Sequence, residues 1–225
     1  MKYAWIGIFA LLLAACTTDD YDTGDGTYSL MRADFVDMHV NASLQADYVI
    51  TDDEDSLALS EPFTNKALKN ANAYYRALLY YNKVDGKATP VSISLLNYYY
   101  PRKTSTIKRD SVFTDPVYFE SAWKSKNGRY INIAVNKLTA KVNNEDGVHL
   151  MGMVEDTLQT NIDNTKTVIL RLLHSQNGVP EYYTSKSYVT LPLSYYRGKL
   201  NAGDKIIIRI NTYDKGIVEK QFLYE

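Results

Sequence analysis

The chain has 225 residues, and its 25 basic and 26 acidic side chains nearly cancel. This balance excludes a general polyanion binder, because there is no net positive field to attract nucleic acid. One cysteine excludes internal disulfides, so about 200 ordered residues must be held by ordinary hydrophobic cores, enough for one large domain or two small ones.

Residues 1–15 have the layout of a bacterial secretion signal. Lys2 precedes the apolar run Tyr3–Leu13, which is too short for a permanent transmembrane helix. The run ends in Leu13-Ala14-Ala15-Cys16, which resembles the lipobox of lipoproteins. A buried or free thiol is the alternative, but Cys16 is the only cysteine and stands where the lipoprotein signal peptidase cuts. We expect residues 1–15 to be removed and the chain to be anchored to the membrane by lipid on Cys16.

Residues 16–26 are rich in Asp and Gly and contain no aliphatic side chain, so they are predicted to form a flexible acidic tether. Its carboxylates close to Cys16 also resemble the surface-export signal of lipoproteins in some Gram-negative anaerobes: Asp19, Asp20 and Asp22. A solvated spacer explains them equally well. We therefore expect a lipid-anchored protein of the cell envelope, at the outer membrane. The residues leave open whether its body faces the periplasm or the medium.

After residue 27, nearly every periodic segment alternates apolar and polar side chains, which is typical of half-buried antiparallel strands. Five or so strands over residues 27–101 favour a small closed barrel, and six or seven over 117–225 favour a β-sandwich. Residues 102–116 are basic and polar without alternation and are predicted to link the two domains. Helix is expected only in short pieces, near 63–71 and around 194–196.

Four dipeptides between alternating runs predict hairpins, because each supplies the positive backbone φ that tight turns need. They are Asp85-Gly86, Asn127-Gly128, Asn177-Gly178 and Lys215-Gly216.

Tyrosine is unusually frequent, with 20 residues that often occur side by side. Neighbours on a strand point to opposite faces, so we expect one ring of each pair to pack inward and the other to face solvent. Strand propensity alone also explains these residues. Tyr98, Tyr99 and Tyr100 end a predicted strand beside the domain boundary, and we predict that they form a ligand face for a protein or a glycan.

No motif in the sequence indicates catalysis or metal binding. There is no Gly-x-Ser-x-Gly elbow and no phosphate-binding glycine loop. The acidic run 52–55 lacks the ligand spacing of a calcium loop and is predicted to be a solvated turn. His39, His149 and His174 are too far apart in sequence to form a zinc pair and are interpreted as ordinary strand residues. We expect no catalytic residue, metal or cofactor; an envelope-polymer hydrolase without a recognisable motif is the minor alternative.

Three short matches resemble an O-glycosylation acceptor motif of exported proteins in some Gram-negative anaerobes, in which Asp precedes Ser or Thr and an aliphatic residue follows. The acceptors would be Ser56, Ser111 and Thr157. Plain turn chemistry in polar loops explains these residues as well.

The chain as a whole resembles the NigD-like family of lipoproteins from Gram-negative anaerobes. The resemblance lies in Leu13–Cys16, Tyr28–Phe35, Ala77–Asn82, Leu96–Pro101 and Gly128–Ile133. It implies an N-terminal OB-like β-barrel, a C-terminal antiparallel β-sandwich and a cell-envelope role linked to bacteriocin operons. It provides no family active-site residues.

The sequence therefore favours a non-enzymatic, lipid-anchored binding or adaptor protein of the cell envelope. Its expected partner is an envelope protein, a bacteriocin or a glycan, and not nucleic acid. Two narrower alternatives are a bacteriocin immunity lipoprotein and a glycan-binding surface lipoprotein.

Overall fold

The computed structural model describes residues 31–108 and 111–225, and over these residues the fold is all-β, as predicted. The strands are β1 Arg32–Val40, β2 Ala46–Thr51, β3 Ser56–Phe63, β4 Ala73–Val84, β5 Lys87–Leu95, β6 Arg102–Lys103, β7 Tyr118–Lys124, β8 Tyr130–Thr139, β9 Lys141–Val142, β10 Glu145–Asp146, β11 Leu150–Thr160, β12 Lys166–Ser175, β13 Tyr183–Pro192, β14 Lys205–Thr212 and β15 Gly216–Leu223. Over the described ranges no helix is long and apolar enough to cross a membrane.

Strands β1 to β5 form the closed barrel that the first half of the sequence predicts, in the order β1-β2-β3-β5-β4. Alternation places Val36, Met38 and Val40 in the barrel core, and all three are fully buried. Asp37 lies between them on the other face of β1, yet it is also buried. That face is covered by the second half of the chain. The finer OB type of the barrel stays a prediction.

The second half forms a β-sandwich with sheet orders β15-β14-β12-β11-β6 and β13-β8-β7. Ile131, Ile133 and Val135, which alternation places on one face of β8, are buried against residues of β12 and β14. Two strand pairs, β12 with β14 and β6 with β11, are parallel, unlike the antiparallel pairing predicted. The first pair is parallel because β13 leaves for the other sheet, so the chain returns to begin β14 beside the start of β12.

Three of the four predicted turns connect neighbouring antiparallel strands. Asp85-Gly86 closes the β4–β5 hairpin with φ values of 50° and 75°, Asn127-Gly128 joins β7 to β8, and Lys215-Gly216 joins β14 to β15. The hairpin prediction at Asn177-Gly178 is wrong, although both residues have positive φ. This turn connects β12 of one sheet to β13 of the other, because the chain changes sheets there.

The two segments with predicted helical character differ. Residues 194–196 lie in the 3₁₀ turn Leu193–Tyr196, as predicted. Residues 63–71 form turns instead. The Asn65 side chain accepts the backbone N–H of Ala67, and the Tyr75 hydroxyl accepts the N–H groups of Lys69 and Asn70. These side chains take the amide protons that a helix would use.

The described parts of the predicted linker, residues 102–108 and 111–116, lie against the sandwich. Arg102 and Lys103 pair with Val154 and Glu155 of β11, and the backbone of Phe113 and Asp115 bonds to His174 of β12. These pairings are too short to leave an alternating pattern in the sequence, so alternation lapses although the segment is ordered by backbone hydrogen bonds.

Candidate binding site

Several predicted site residues cannot be compared with the fold. Cys16 and the acidic side chains Asp19, Asp20 and Asp22 lie outside the described residues. The lipid anchor and the surface-export signal therefore stay predictions.

Tyr98, Tyr99 and Tyr100 lie on the segment that joins β5 to β6. The backbone N–H of Tyr99 donates to the carbonyl of Thr190 in β13 at 2.9 Å, and three residues later Arg102 pairs with β11. Because β13 and β11 belong to different sheets, this segment crosses the open side of the sandwich. The predicted ligand face thus lies on a segment that contacts both sheets.

Two clefts, each of about 690 Å³, flank this segment. Both are lined by Tyr98, Tyr99, Leu150 and Met151, so they adjoin along the tyrosines and the first residues of β11. We call the two clefts together the cross-sheet groove. Tyr100 lines the first cleft only. The structure therefore brings all three predicted tyrosines to one concave surface; their role in binding stays a prediction.

The three rings differ in how much they offer a ligand. The Tyr98 ring stacks on Tyr130, with centroids 5.9 Å apart, and burial raises the pKa of both Tyr98 and Tyr99. Tyr100 is 53% exposed and its ring lies 6.4 Å from that of Tyr195. Of the three tyrosine rings, one is thus freely accessible and two are largely packed and uncharged.

Elsewhere, neighbouring tyrosines follow the predicted inside and outside arrangement in some pairs only. Tyr81 and Tyr196 are fully buried while their neighbours Tyr80 and Tyr195 are partly exposed. Tyr182 and Tyr183 are both exposed, the former by 82%. Tyr182 precedes β13, so the rule for strand neighbours does not apply to it.

The charged side chains that line the groove are all basic. They are Arg102 and Lys108 in the first cleft and Lys137 and Lys186 in the second, and among the described residues no Asp or Glu lines either cleft. Lys186 is paired with Glu120 at 2.7 Å, and burial lowers the pKa of Lys137. Because basic and acidic residues are almost equal over the whole chain, this lining is a local excess of positive charge.

His149 and His174 contact each other at one end of the sandwich. The sequence did not predict this contact. The ring of His174 donates from Nδ1 to the backbone carbonyl of Asp115 at 3.1 Å, so its Nε2 accepts Nδ1–H of His149 at 3.0 Å. Nε2 of His149 then accepts the Thr139 hydroxyl at 3.1 Å. With both rings neutral, every ring nitrogen of the pair has a hydrogen-bond partner.

The pKa values of this histidine pair agree with that arrangement. Burial, followed by the charge of Lys137 and the neighbouring ring, lowers the pKa of His149 to about 4, and burial also lowers that of His174. A turn at residues 161–165 joins β11 to β12, and the pairing places Met151 opposite His174. His149 is two residues before Met151, so this turn was the feature of the sequence that could have predicted the histidine pair. Within the described residues, no group of three or more His, Cys, Asp or Glu is placed to hold a metal.

The predicted O-glycosylation acceptors are all exposed. Ser56 is the first residue of β3 and Thr157 lies in β11, so these two lie in strands and not in loops. The Asp156 carboxylate beside Thr157 is bound by Arg171 at 2.7 Å. Ser111 lines the cross-sheet groove. Glycosylation at these positions stays a prediction.

Comparison with known proteins identifies the second half of the chain. Residues 100–224 match the family described as the NigD-like C-terminal beta sandwich domain. A comparison with curated protein sequences gives no match.

Solved structures share the fold across both halves. A NigD-like immunity protein from Bacteroides caccae is 24% identical, with a TM-score of 0.67 over 86% of this chain and 97% of that one. A candidate toxin-related protein from Parabacteroides distasonis is 19% identical, with a TM-score of 0.62 over 87% and 93%. A candidate lipoprotein from Bacteroides fragilis is 15% identical, with a TM-score of 0.61 over 87% and 98%. At these identities the likeness shows the fold alone.

Proposed function

We propose that this chain, which belongs to the NigD-like family, is a non-enzymatic, lipid-anchored binding protein of the cell envelope that holds its partner in the cross-sheet groove. The observation that carries the proposal is the groove itself. It joins both sheets and contains the predicted tyrosines Tyr98, Tyr99 and Tyr100. Binding sites are typically concave, mostly apolar surfaces with a few polar groups, and the first of the two clefts has that composition, whereas the second is more polar.

Two features support placement in the envelope. They are the predicted lipid at Cys16 and the likeness to the Bacteroides fragilis protein, which is described as a lipoprotein. The anchor would hold the groove at a membrane surface. Partners would then be molecules that reach that surface, among them envelope proteins, bacteriocins and glycans.

Photo-crosslinking in living cells tests the groove. A photo-reactive amino acid replaces Tyr100, and in a control chain it replaces Tyr182, which is more exposed but does not line either cleft. We expect a specific crosslinked partner, identified by mass spectrometry, from position 100 only. Equal crosslinks from both positions, or none from position 100, would contradict the groove as the binding site. A Cys16→Ala version tests whether capture requires the anchor.

Bacteriocin immunity is a second candidate function. It is favoured by the likeness to two structural neighbours, one described as an immunity protein and one as a toxin-related protein. Such a protein would mask a toxin or its receptor at the membrane. Deleting the gene should then increase sensitivity to a toxin encoded beside it. Unchanged sensitivity would contradict the immunity function and would not affect the proposal of a general binding function.

A further inference from the structure

We infer that the ligand of the cross-sheet groove is an extended acidic peptide segment, which adds as a strand to the free edge of β11. This inference rests on the proposed binding function and deepens it by giving the chemical class of the partner.

The first four residues of β11 have an unpaired edge. Leu150–Met153 pair with β12 on one side, whereas β6 pairs on the other side only with Val154 and Glu155. Over the described residues, no backbone group of Leu150–Met153 bonds on that second side. In an antiparallel strand alternate residues point their N–H and C=O groups away from the partner, so this edge offers donors and acceptors to another strand.

Strand β6 shows that the same edge accepts a strand. Arg102 and Lys103 run parallel to β11, in register with Val154 and Glu155. The chain before them turns away to bond Thr190 of the other sheet, through Tyr99. A peptide that continued the line of β6 along Leu150–Met153 would lie against the side chains of the groove. At about 3.3 Å per residue, this edge accommodates roughly four peptide residues.

The lining favours peptide side chains over sugar rings. Leu150, Phe113 and Tyr100 are half-exposed, and Met151 and Ile107 add aliphatic and thioether surface. Sugars bind best by stacking on open aromatic faces, and only Tyr100 and Phe113 are exposed enough to offer one. Leu, Met and Ile side chains instead form pockets for the alternate side chains of an extended peptide.

Gly152 leaves room for a backbone to approach. It lies in the middle of the free edge and lines the first cleft. A Cβ atom added to it would meet Leu173 at 3.7 Å, which is ordinary van der Waals contact. The sheet therefore tolerates a side chain at this position. A glycine inside a strand often marks a place where another backbone comes close.

The charge of the lining gives the sign of the ligand. Over the part of the chain that the structure describes, Arg102, Lys108 and Lys137 have no ion pair and no carboxylate lines the groove. An acidic peptide is therefore complementary to it, whereas a basic one is repelled.

The test is affinity selection with a randomised heptapeptide library on the full-length lipoprotein in detergent. We expect enrichment of peptides that combine Glu or Asp with aliphatic residues at alternate positions. Methylation of alternate backbone nitrogens in an enriched peptide should weaken its binding by about tenfold, because it removes strand hydrogen bonds. Arg102→Gln and Lys108→Gln should each weaken binding about three- to tenfold at low salt and less at high salt.

Gly152→Val is the decisive variant, because it adds a strand-forming side chain to the lining of the groove at a position where a Cβ atom makes only ordinary contacts. We expect it to remove most of the binding while its unfolding midpoint stays close to that of the native chain. Lys87→Gln, an exposed lysine in the barrel hairpin, and Ser92→Val, an exposed serine of β5, are the matched controls and should bind as the native chain does.

Other outcomes overturn the inference in distinguishable ways. Binding of an oligouronate, without enrichment of any peptide, would make the ligand a glycan and leave the groove as the binding site. Peptide binding that is unaffected by Gly152→Val would place the peptide elsewhere. A partner crosslinked from position 100, together with failure of every acidic peptide, would remove the peptide class while the proposed function stands.

Discussion

The guanidinium carbon of Arg76 in the barrel lies 4.1 Å from the centre of the Tyr130 ring in the sandwich. Arg76 is fully buried and also makes two bonds to the Asp52 carboxylate, at 2.8 and 2.6 Å. The Tyr130 hydroxyl donates to Asp37 of the barrel at 2.9 Å. Charge pairs and an aromatic ring thus join the two halves of the molecule.

This network explains why polar residues of the barrel are buried on its outer face. Asp37 accepts bonds from Tyr130 and from Arg129, and Asn132 of β8 donates to Asp52 at 3.2 Å. Buried charges of this kind are costly unless every partner is present. The two halves are therefore expected to unfold together, as one cooperative unit.

Arg76→Met should reduce the free energy of unfolding by about 3–5 kcal/mol, because it leaves the partly buried Asp52 without its cation and removes one of the two guanidinium groups that face the buried Asp37. Urea denaturation followed by tryptophan fluorescence measures this change. The matched control is Arg209→Met, since Arg209 pairs with Glu219 at 2.7 Å on the surface and should cost less than about 1 kcal/mol. Equal losses in the two variants would show that the buried network adds nothing beyond a surface pair.

Tyr130→Phe should cost about 1.5–3 kcal/mol, because it removes a hydrogen bond to a charged and buried acceptor, Asp37. Desolvation and neighbouring groups raise the pKa of Tyr130, so its hydroxyl is a donor at all ordinary pH values. Tyr213→Phe is the control, since its hydroxyl bonds Glu181 at 3.0 Å in an exposed position. Equal decreases in the urea midpoints of the two variants would contradict the assignment of this energy to burial.

The sequence predicts the strands well because period-two alternation is a local property. Ile131, Ile133 and Val135 are buried on one face of β8 as their spacing indicates. Pairing between distant strands is not local, so the parallel pair β12 and β14 and the turn at Asn177-Gly178 were not predicted correctly.

The candidate site shows the same division between local and distant information. Tyr98–Tyr100 could be selected from the sequence, because a run of aromatic residues ends a strand there. The groove around them could not, since Leu150 and Met151 come from a strand fifty residues away. The acidic run at 52–55 does form the predicted turn between β2 and β3, but its first carboxylate is held by Arg76 and not by solvent.

Gly147→Ala should destabilise the sandwich by about 1–3 kcal/mol, as overpacking of a close contact does. A Cβ atom at this position would collide with the Val179 side chain and would lie 2.7 Å from the carbonyl oxygen of Ala140. That carbonyl accepts the N–H of Gly147, so the two backbones cannot separate without losing the bond. Gly152→Ala, whose Cβ meets only ordinary contacts, should change the urea midpoint little. Comparable losses in both variants would contradict this account of Gly147.

The His149 and His174 pair should make stability depend on pH between about 6.5 and 4. The pKa of His149 in the folded chain, about 4, is below the value near 6.5 of an exposed histidine, so the unfolded chain takes up a proton first. The stability that the neutral pair confers is therefore complete above pH 6.5 and is lost as the pH falls towards 4.

The variant His149→Gln removes the titration of His149. With allowance for the solvent that reaches the half-buried ring, the native chain should lose about 1 kcal/mol more than the variant over this range. Urea unfolding of both chains at several pH values measures the difference, which should be constant above pH 7. Curves that stay parallel down to pH 4 would show that burial in this pair does not lower the pKa of His149.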